Sequence, residues 1–368
     1  MRKLRYSVSR RTALGGLAGI AAFWRLPDLA AEGLGPRVAE VVRTTIGVDA
    51  HNHIDVPLAT AEIPGPNLDI AGDMKRSGLS AVCSTFAVDY QAITDPADGY
   101  GRFVAGLTAF DVQLARNAIK RSLNLADILA AQAAGQPTVI QGVEGAHFLE
   151  GKLERVAYAY ERGLRHFGLL HDHDATPPLG DVFTNAEIYG GLTELGAATI
   201  LECERLGILV DLSHGSAKTV RAALGVATKP LIVSHTGLNT LLGEDPRFAA
   251  MMRPRLIDRE LASEIADAGG VIGVWTHLAR SPAEYARNIR SMVDVVGIDH
   301  VCIGTDSKLT GAAASGSQGT NNQWSGQTKG FYFVVVEALL SAGFTAEEIG
   351  KIGGANYLRI FDAATRSA

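Results

Sequence analysis

Cysteine is scarce in this chain. The three present, Cys83, Cys203 and Cys302, stand at unrelated spacings in 368 residues. An odd set without a repeat excludes a disulfide framework and a cysteine-built zinc module, and three small buried thiols are expected instead. Basic runs are missing as well. With a net charge of −5 and no basic stretch beyond the extreme N-terminus, the chain has no electrostatic footprint for nucleic acid. Long apolar runs are also absent: nothing beyond the first thirty-odd residues approaches the ~20 apolar residues that a membrane span requires.

What the chain does have is core. Hydrophobic residues make up 47% of it, ample for one large domain, and an α/β barrel takes roughly 250 residues or more. The N-terminus reads as an address. Arg2, Lys3 and Arg5 lead to Ser9-Arg10-Arg11-Thr12, then to the Gly/Ala-rich run Gly15 to Phe23. Twin arginines before a short apolar run resemble a twin-arginine export signal, with cleavage near Ala30-Ala31. The predicted division is therefore an export signal over residues 1–31, addressed to the export machinery and the periplasm, and a single domain over residues 32–368.

Within that domain, buried strands alternate with helices. Strands are predicted at Thr45–His53, Leu79–Val88, Thr138–Val143, Leu164–Leu170, Ile208–Ser213, Pro230–Ser234, Gly270–Trp275 and His300–Thr305. A long helical stretch covers Gly101–Ala134, and the chain closes with Gly330–Ala342 and a short helix near Ala346–Leu358. Unbroken apolar strands separated by helices indicate a parallel sheet covered on both faces. Eight such units predict an α/β fold of the (β/α)8 TIM barrel type.

Barrel sites lie at the C-terminal ends of the strands. Here those ends carry His51 and His53, Glu144, His171, His214, His235 and Asp306. Side chains two apart on a strand share a face, so His51 and His53 can meet one ion, and neutral imidazoles suit zinc or a similar metal. His147 and His277 follow strand ends and are expected to be structural, as is His300 at the opposite rim. Trp324, in the polar loop 311–330, is a candidate lid residue.

His-x-His on the first strand, with histidines ending the fifth and sixth, resembles the amidohydrolase superfamily. Gly142-Val143-Glu144-Gly145, Leu169-Leu170-His171, Asp211-Leu212-Ser213-His214 and Val233-Ser234-His235-Thr236 narrow the resemblance to the membrane dipeptidase family of zinc peptidases, along essentially the whole domain. The resemblance implies two zinc ions per chain. His51 and His53 would bind the first, His214 and His235 the second, and Glu144 would bridge them, a carboxylate having two oxygens. A shared hydroxide would attack the scissile bond of a dipeptide. His171 would steady the oxyanion, and Asp306 would handle the proton passed to the leaving amine. Arg255, with Arg253 and Arg247 as competitors, would fork onto the substrate carboxylate beside His171.

Three departures from the family pattern stand out. The usual His-x-Asp is here His51-Asn52-His53, with a shifted register through Asp55 as the alternative. The loop His171-Asp172-His173-Asp174 makes the pocket more acidic and histidine-rich. Lys308, after Asp306, is expected to bring a cation to the pocket mouth. The competing readings are another amidohydrolase, such as an N-acyl amino acid deacylase or a lactonase, and a binding protein that has lost its chemistry. The second is disfavoured because Glu144 and Asp306 are both present. A homodimer through barrel helices is compatible with the sequence.

Overall fold

The computed structural model describes residues 35–366 apart from 94, 96, 243–244 and 311–318. The twin-arginine segment, with Arg10 and Arg11, and the expected cleavage position lie outside the described residues. Among the described residues nine strands form one parallel sheet: β1 (Val48–His53), β2 (Ala81–Thr85), β3 (Thr138–Glu144), β4 (Leu164–Gly168), β5 (Leu209–Asp211), β6 (Ile232–Thr236), β7 (Val271–Val274), β8 (Val301–Ile303) and β9 (Ser307–Lys308). Their order is β8-β7-β6-β5-β4-β3-β2-β1-β9. Because β9 follows β8 after only three residues, both edges of that order belong to one length of chain, and the sheet closes on itself. This is the expected (β/α)8 TIM barrel, its eighth position shared by β8 and β9.

Alternation along the strands builds two cores. Ala50, Cys83, Ile140, Leu209, Ile232 and Cys302 cluster inside the barrel with Tyr357 and Phe361 of the closing helix Asn356–Thr365. The residues between them, such as Val82, Val139, Phe167, Val210 and Ile272, pack outward against the helices. All three cysteines are buried and free, as expected.

The strand registers shift between Asp49 and Asn52 of β1 and between Val233 and Thr236 of β6. A bulge of this kind re-aims the side chains that follow it. The barrel-filling parity of Val48 and Ala50 thus gives way to His51 and His53 at the rim, and that of Ile232 to His235.

Two predicted elements differ. The stretch Gly101–Ala134 is two helices, Asp98–Arg116 and Leu125–Ala133. Ala118 takes a φ of 52° just after the first, and Asn124 caps the second by accepting from the Asp127 N–H. The final helix is longer than predicted, running Ala346–Gly350, a π-helical turn Lys351–Ala355, then Asn356–Thr365. The wider turn lays Gly353 and Gly354 against the chain: a Cβ at Gly354 would fall 2.1 Å from the Ile46 carbonyl oxygen.

Candidate active site

The C-terminal ends of the strands surround a cavity of about 260 Å³, lined among others by His53, Glu144, His171, His214, His235, Arg255 and Asp306. Glu144, buried at the end of β3, stands at its centre. Its Oε1 lies 2.9 Å from His214 Nε2, 3.5 Å from His51 Nε2 and 3.7 Å from His235 Nε2. Its Oε2 lies 3.4 Å from His171 Nε2 and 4.0 Å from His53 Nε2. His214 and His235 bring their Nε2 atoms within 3.0 Å of each other. Asp306 Oδ1 lies 2.9 Å from His53 Nε2 and 3.8 Å from His51 Nε2, while its Oδ2 accepts from the Trp275 indole at 3.1 Å. The predicted ligand and catalytic side chains therefore line one cavity, except His51, which is buried just beneath that lining with Nε2 toward Glu144. His214 and Asp306 have φ angles of 68° and 53°, a left-handed backbone that side-chain-bearing residues adopt mainly where the surrounding structure enforces it.

Arg255 reaches the wall of the same cavity, with Nη2 3.3 Å from Asp172 Oδ2 and its guanidinium over the Phe183 ring. Arg253 and Arg247 do not line it. Asp55 does not enter the site either: its carboxylate is exposed and takes Lys308 Nζ at 2.6 Å. That pair corrects the expectation for Lys308, which spends its charge outside the cavity. Trp324 is likewise no lid. It is buried, stacks on Phe331 and donates to the Ala279 carbonyl. His300 donates from Nδ1 to the Gly270 carbonyl, away from the site. His277 lies edge-on to Trp275, 3.6 Å from Asp306 Oδ2, and His147 lies behind the lining, 3.7 Å from Asp89 Oδ2.

Several site residues escaped the sequence reading. Asp89, beyond β2, takes His171 Nδ1 at 2.6 Å on one oxygen and His173 Nδ1 at 3.0 Å on the other. Tyr90 places its hydroxyl 3.0 Å from His53 Nδ1. Asp172, expected in the pocket only as part of the acidic loop, has a partner that the sequence did not show, accepting from His214 Nδ1 at 3.0 Å. Phe183 stacks on His214, and Asp211 supports β6 from below. The histidine-rich loop at His171 was a legible hint for Asp172. Nothing local marked Asp89 or Tyr90.

The site is electrostatically crowded. Burial alone would push Glu144 up, but His171, His51 and His214 hold its carboxyl well below the usual range. Burial also works against a charged His214, yet Glu144 and Asp172 carry it up to about 10. Asp306 is held low despite burial by His235 and His53, and burial pushes His235 down to about 3. Glu144, Asp89, Asp172 and Asp306 thus face a cavity in which Arg255 is the fixed cation among the lining residues. Positive charge has to come from protonated imidazoles or from metal ions.

The donor set fits metal. Glu144 Oε1 is buried without a hydrogen-bond partner, although three imidazole nitrogens crowd it. Among the described residues four groupings bring their ligand atoms within 4.8 Å of one another, and two of them, His51 with His53 and Asp306, and Glu144 with His214 and His235, contain the predicted ligands. Nitrogens 3.0 Å apart are spaced as co-ligands of an ion with bonds of about 2 Å. A parallel barrel whose rim gathers imidazoles around a buried carboxylate defines a metal-dependent hydrolase.

Comparison with known proteins agrees. Residues 36–368 match the membrane dipeptidase family, peptidase family M19. Dipeptidase aclJ of Aspergillus oryzae is 24% identical over 240 residues, which is 61% of this chain and 51% of that protein. The match therefore spans about half the length of that curated relative. An amidohydrolase from Pseudomonas aeruginosa superposes with a TM-score of 0.74 at 22% identity, covering 89% of this chain and 99% of the other. A metallopeptidase from Rhodobacter sphaeroides, solved with a phosphinate mimic of the dipeptide L-Ala-D-Ala, gives a TM-score of 0.66 at 20% identity over 87% of this chain and 99% of its own. The chain belongs to the membrane dipeptidase family.

Proposed function

We propose that this chain is a zinc-dependent dipeptidase that takes two ions and cleaves the single peptide bond of small dipeptides. The observation that carries the proposal is Glu144, whose Oε1 faces His51, His214 and His235 within 3.7 Å and whose Oε2 lies 4.0 Å from His53. In this reading His51 and His53 hold one ion, His214 and His235 the other, and Glu144 reaches both. When bound, zinc polarises the scissile carbonyl and lowers the pKa of water, supplying the electrophile and the nucleophile.

The remaining work belongs to the chain. Arg255 takes the terminal carboxylate of the substrate as a bidentate partner, which confines cleavage to bonds one residue from the C-terminus. His171 donates Nδ1–H to Asp89 at 2.6 Å; Glu144 and Asp89 raise its pKa against burial, and as an imidazolium it also offers Nε2–H to the developing oxyanion. Asp306, held between His53 and the Trp275 indole, keeps an ionised carboxylate where it can accept a proton and deliver it to the leaving amine. Export through the N-terminal signal, with action in the periplasm, belongs to the same proposal.

A second reading, a deacylase or lactonase on the same scaffold, draws on Asp172, which already engages Arg255 at 3.3 Å. One experiment separates them. Metal content per chain and hydrolysis of a dipeptide panel are measured on protein recovered from the periplasmic fraction, with C-terminally amidated dipeptides as controls. The expected outcome is about two zinc per chain, cleavage of free dipeptides only, and loss of at least ~10³-fold in kcat/KM for Glu144→Gln. Equal cleavage of amidated substrates would favour the second reading. One metal or none, with dipeptides untouched, would overturn the first.

A further inference from the structure

Ser234 is buried at the foot of the site, where its hydroxyl meets a carboxylate, two imidazoles and a second hydroxyl. Ser234 Oγ lies 2.5 Å from Asp211 Oδ2, 3.2 Å from His51 Nδ1 and 2.9 Å from His235 Nδ1. A hydroxyl has one proton to give and two lone pairs to offer. Asp211 fixes where that proton goes. Its Oδ1 accepts from the backbone N–H groups of Ser213 and Ser234 and from the Ser213 hydroxyl, which is the surrounding of an ionised carboxylate. The shortest of the three contacts therefore uses the proton of Ser234. The Ser213 hydroxyl, 3.2 Å from that of Ser234, has already spent its own proton on Asp211.

Only acceptor capacity then remains on Ser234 for two imidazoles, and each must present an N–H. His51 and His235 accordingly carry their protons on Nδ1, and each leaves Nε2 bare. Those are the nitrogens that face Glu144 Oε1 at 3.5 and 3.7 Å. Asp211 with the other two nitrogens, His51 Nδ1 and His235 Nδ1, could nominally gather around an ion, but the Ser234 hydroxyl fills the space between them.

We propose that Ser234, anchored by Asp211, is a positioning residue that sets the tautomer of one ligand of each metal ion with a single hydroxyl. A neutral imidazole ligates through one nitrogen only while the other holds the proton, and the partner of that N–H fixes the ring. One side chain thus couples two ion sites whose ligands come from different strands, His51 from β1 and His235 from β6. The inference rests on the reading of His51 and His235 as ligands.

The test uses the full mature chain in three measurements: zinc affinity by chelator competition, the Nδ1/Nε2 tautomer of each histidine by nitrogen-15 NMR, and kcat against KM. Wild type should show His51 and His235 as Nδ1–H tautomers, with and without zinc. Ser234→Ala should weaken both zinc sites, each by ~10–100-fold, and populate the Nε2–H tautomer. Ser234→Thr, which keeps the hydroxyl, should restore zinc affinity to within about threefold. Ser213→Ala, which touches Asp211 but neither imidazole, should also stay within about threefold. If Ser234→Ala does not fold, Ser234→Cys, with similar volume and a weak acceptor, replaces it and should lose at least ~10-fold. Undiminished zinc affinity in the Ser234 variant overturns the proposal, and so does an equal loss in Ser213→Ala or an Nε2–H tautomer of either ring in wild type. A wild-type chain that holds no zinc would instead sink the metal reading, and the tautomers of the metal-free protein would still decide this one.

Discussion

Asp89 accepts from imidazoles at both carboxylate oxygens, and that is its weight in the site. Burial would raise its pKa, but hydrogen bonds from His171 and His173, with the charge of His147 nearby, hold it at about 2. The folded pKa lies below the ordinary 3.8, so this group stabilises the fold fully above pH ~4, and the contribution fades as pH falls through 2. Asp89→Asn should cost about 2 kcal/mol at neutral pH and flatten the acid limb of stability between pH ~4 and ~2. Urea denaturation at stepped pH measures both. The same residue marks the limit of what sequence can disclose. Histidines at strand ends declare themselves because their chemistry is rare and their spacing follows the barrel. Asp89 is an ordinary acid in a loop. Its meaning comes from His171, 82 positions away, brought close only by the fold.

At the level of elements, strands were readable and their irregularities were not. Runs such as Leu231 to Val233 and Val271 to Val274 are apolar on both parities and mark a covered sheet. The shifts in β1 and β6 leave no such trace, since one extra residue changes no composition, yet they aim His51, His53 and His235. β9 was invisible for a related reason: Ser307 and Lys308 are extended because β1 offers them partners, not by propensity. The crowding around β6 is equally hidden. A Cβ at Gly273 or at Gly304 would fall 1.7 Å from the Ser234 carbonyl oxygen, so β7 and β8 approach β6 there only because both positions are glycine. Gly304→Ala should destabilise by about 3 kcal/mol and, if His235 is a metal ligand as proposed, weaken metal binding with it, because the displaced backbone carries Ser234 and His235. Thermal unfolding and zinc titration on the same sample check the pairing. A loss of stability with zinc affinity intact would separate the two.

Over the whole molecule, the barrel closes by an unusual join. β8 does not pair with β1 along a regular ladder. Instead the buried Asp49 carboxylate accepts from the Thr305 backbone N–H at 2.9 Å, the Thr305 hydroxyl at 2.6 Å and Asn52 Nδ2 at 2.9 Å. The Asp306 N–H then reaches the His51 carbonyl, and β9 takes up the pairing. Asp49→Ala leaves those donors buried without partners and should cost about 3–5 kcal/mol. Hydrogen exchange should rise first in residues 48–53 and 301–309, while β3 to β6 stay protected. Uniform exchange across the sheet would contradict the localisation.

That join sits directly beneath the catalytic rim, between the segment bearing His51 and His53 and the one bearing Asp306. Any loosening of the ring therefore begins at the reactive centre and not at a remote edge. Heat or acid would then part Asp306 from His51 and His53 while most of the barrel still stood, and under the proposed roles of these residues activity would go with that contact. Activity should be the first property lost and the first regained.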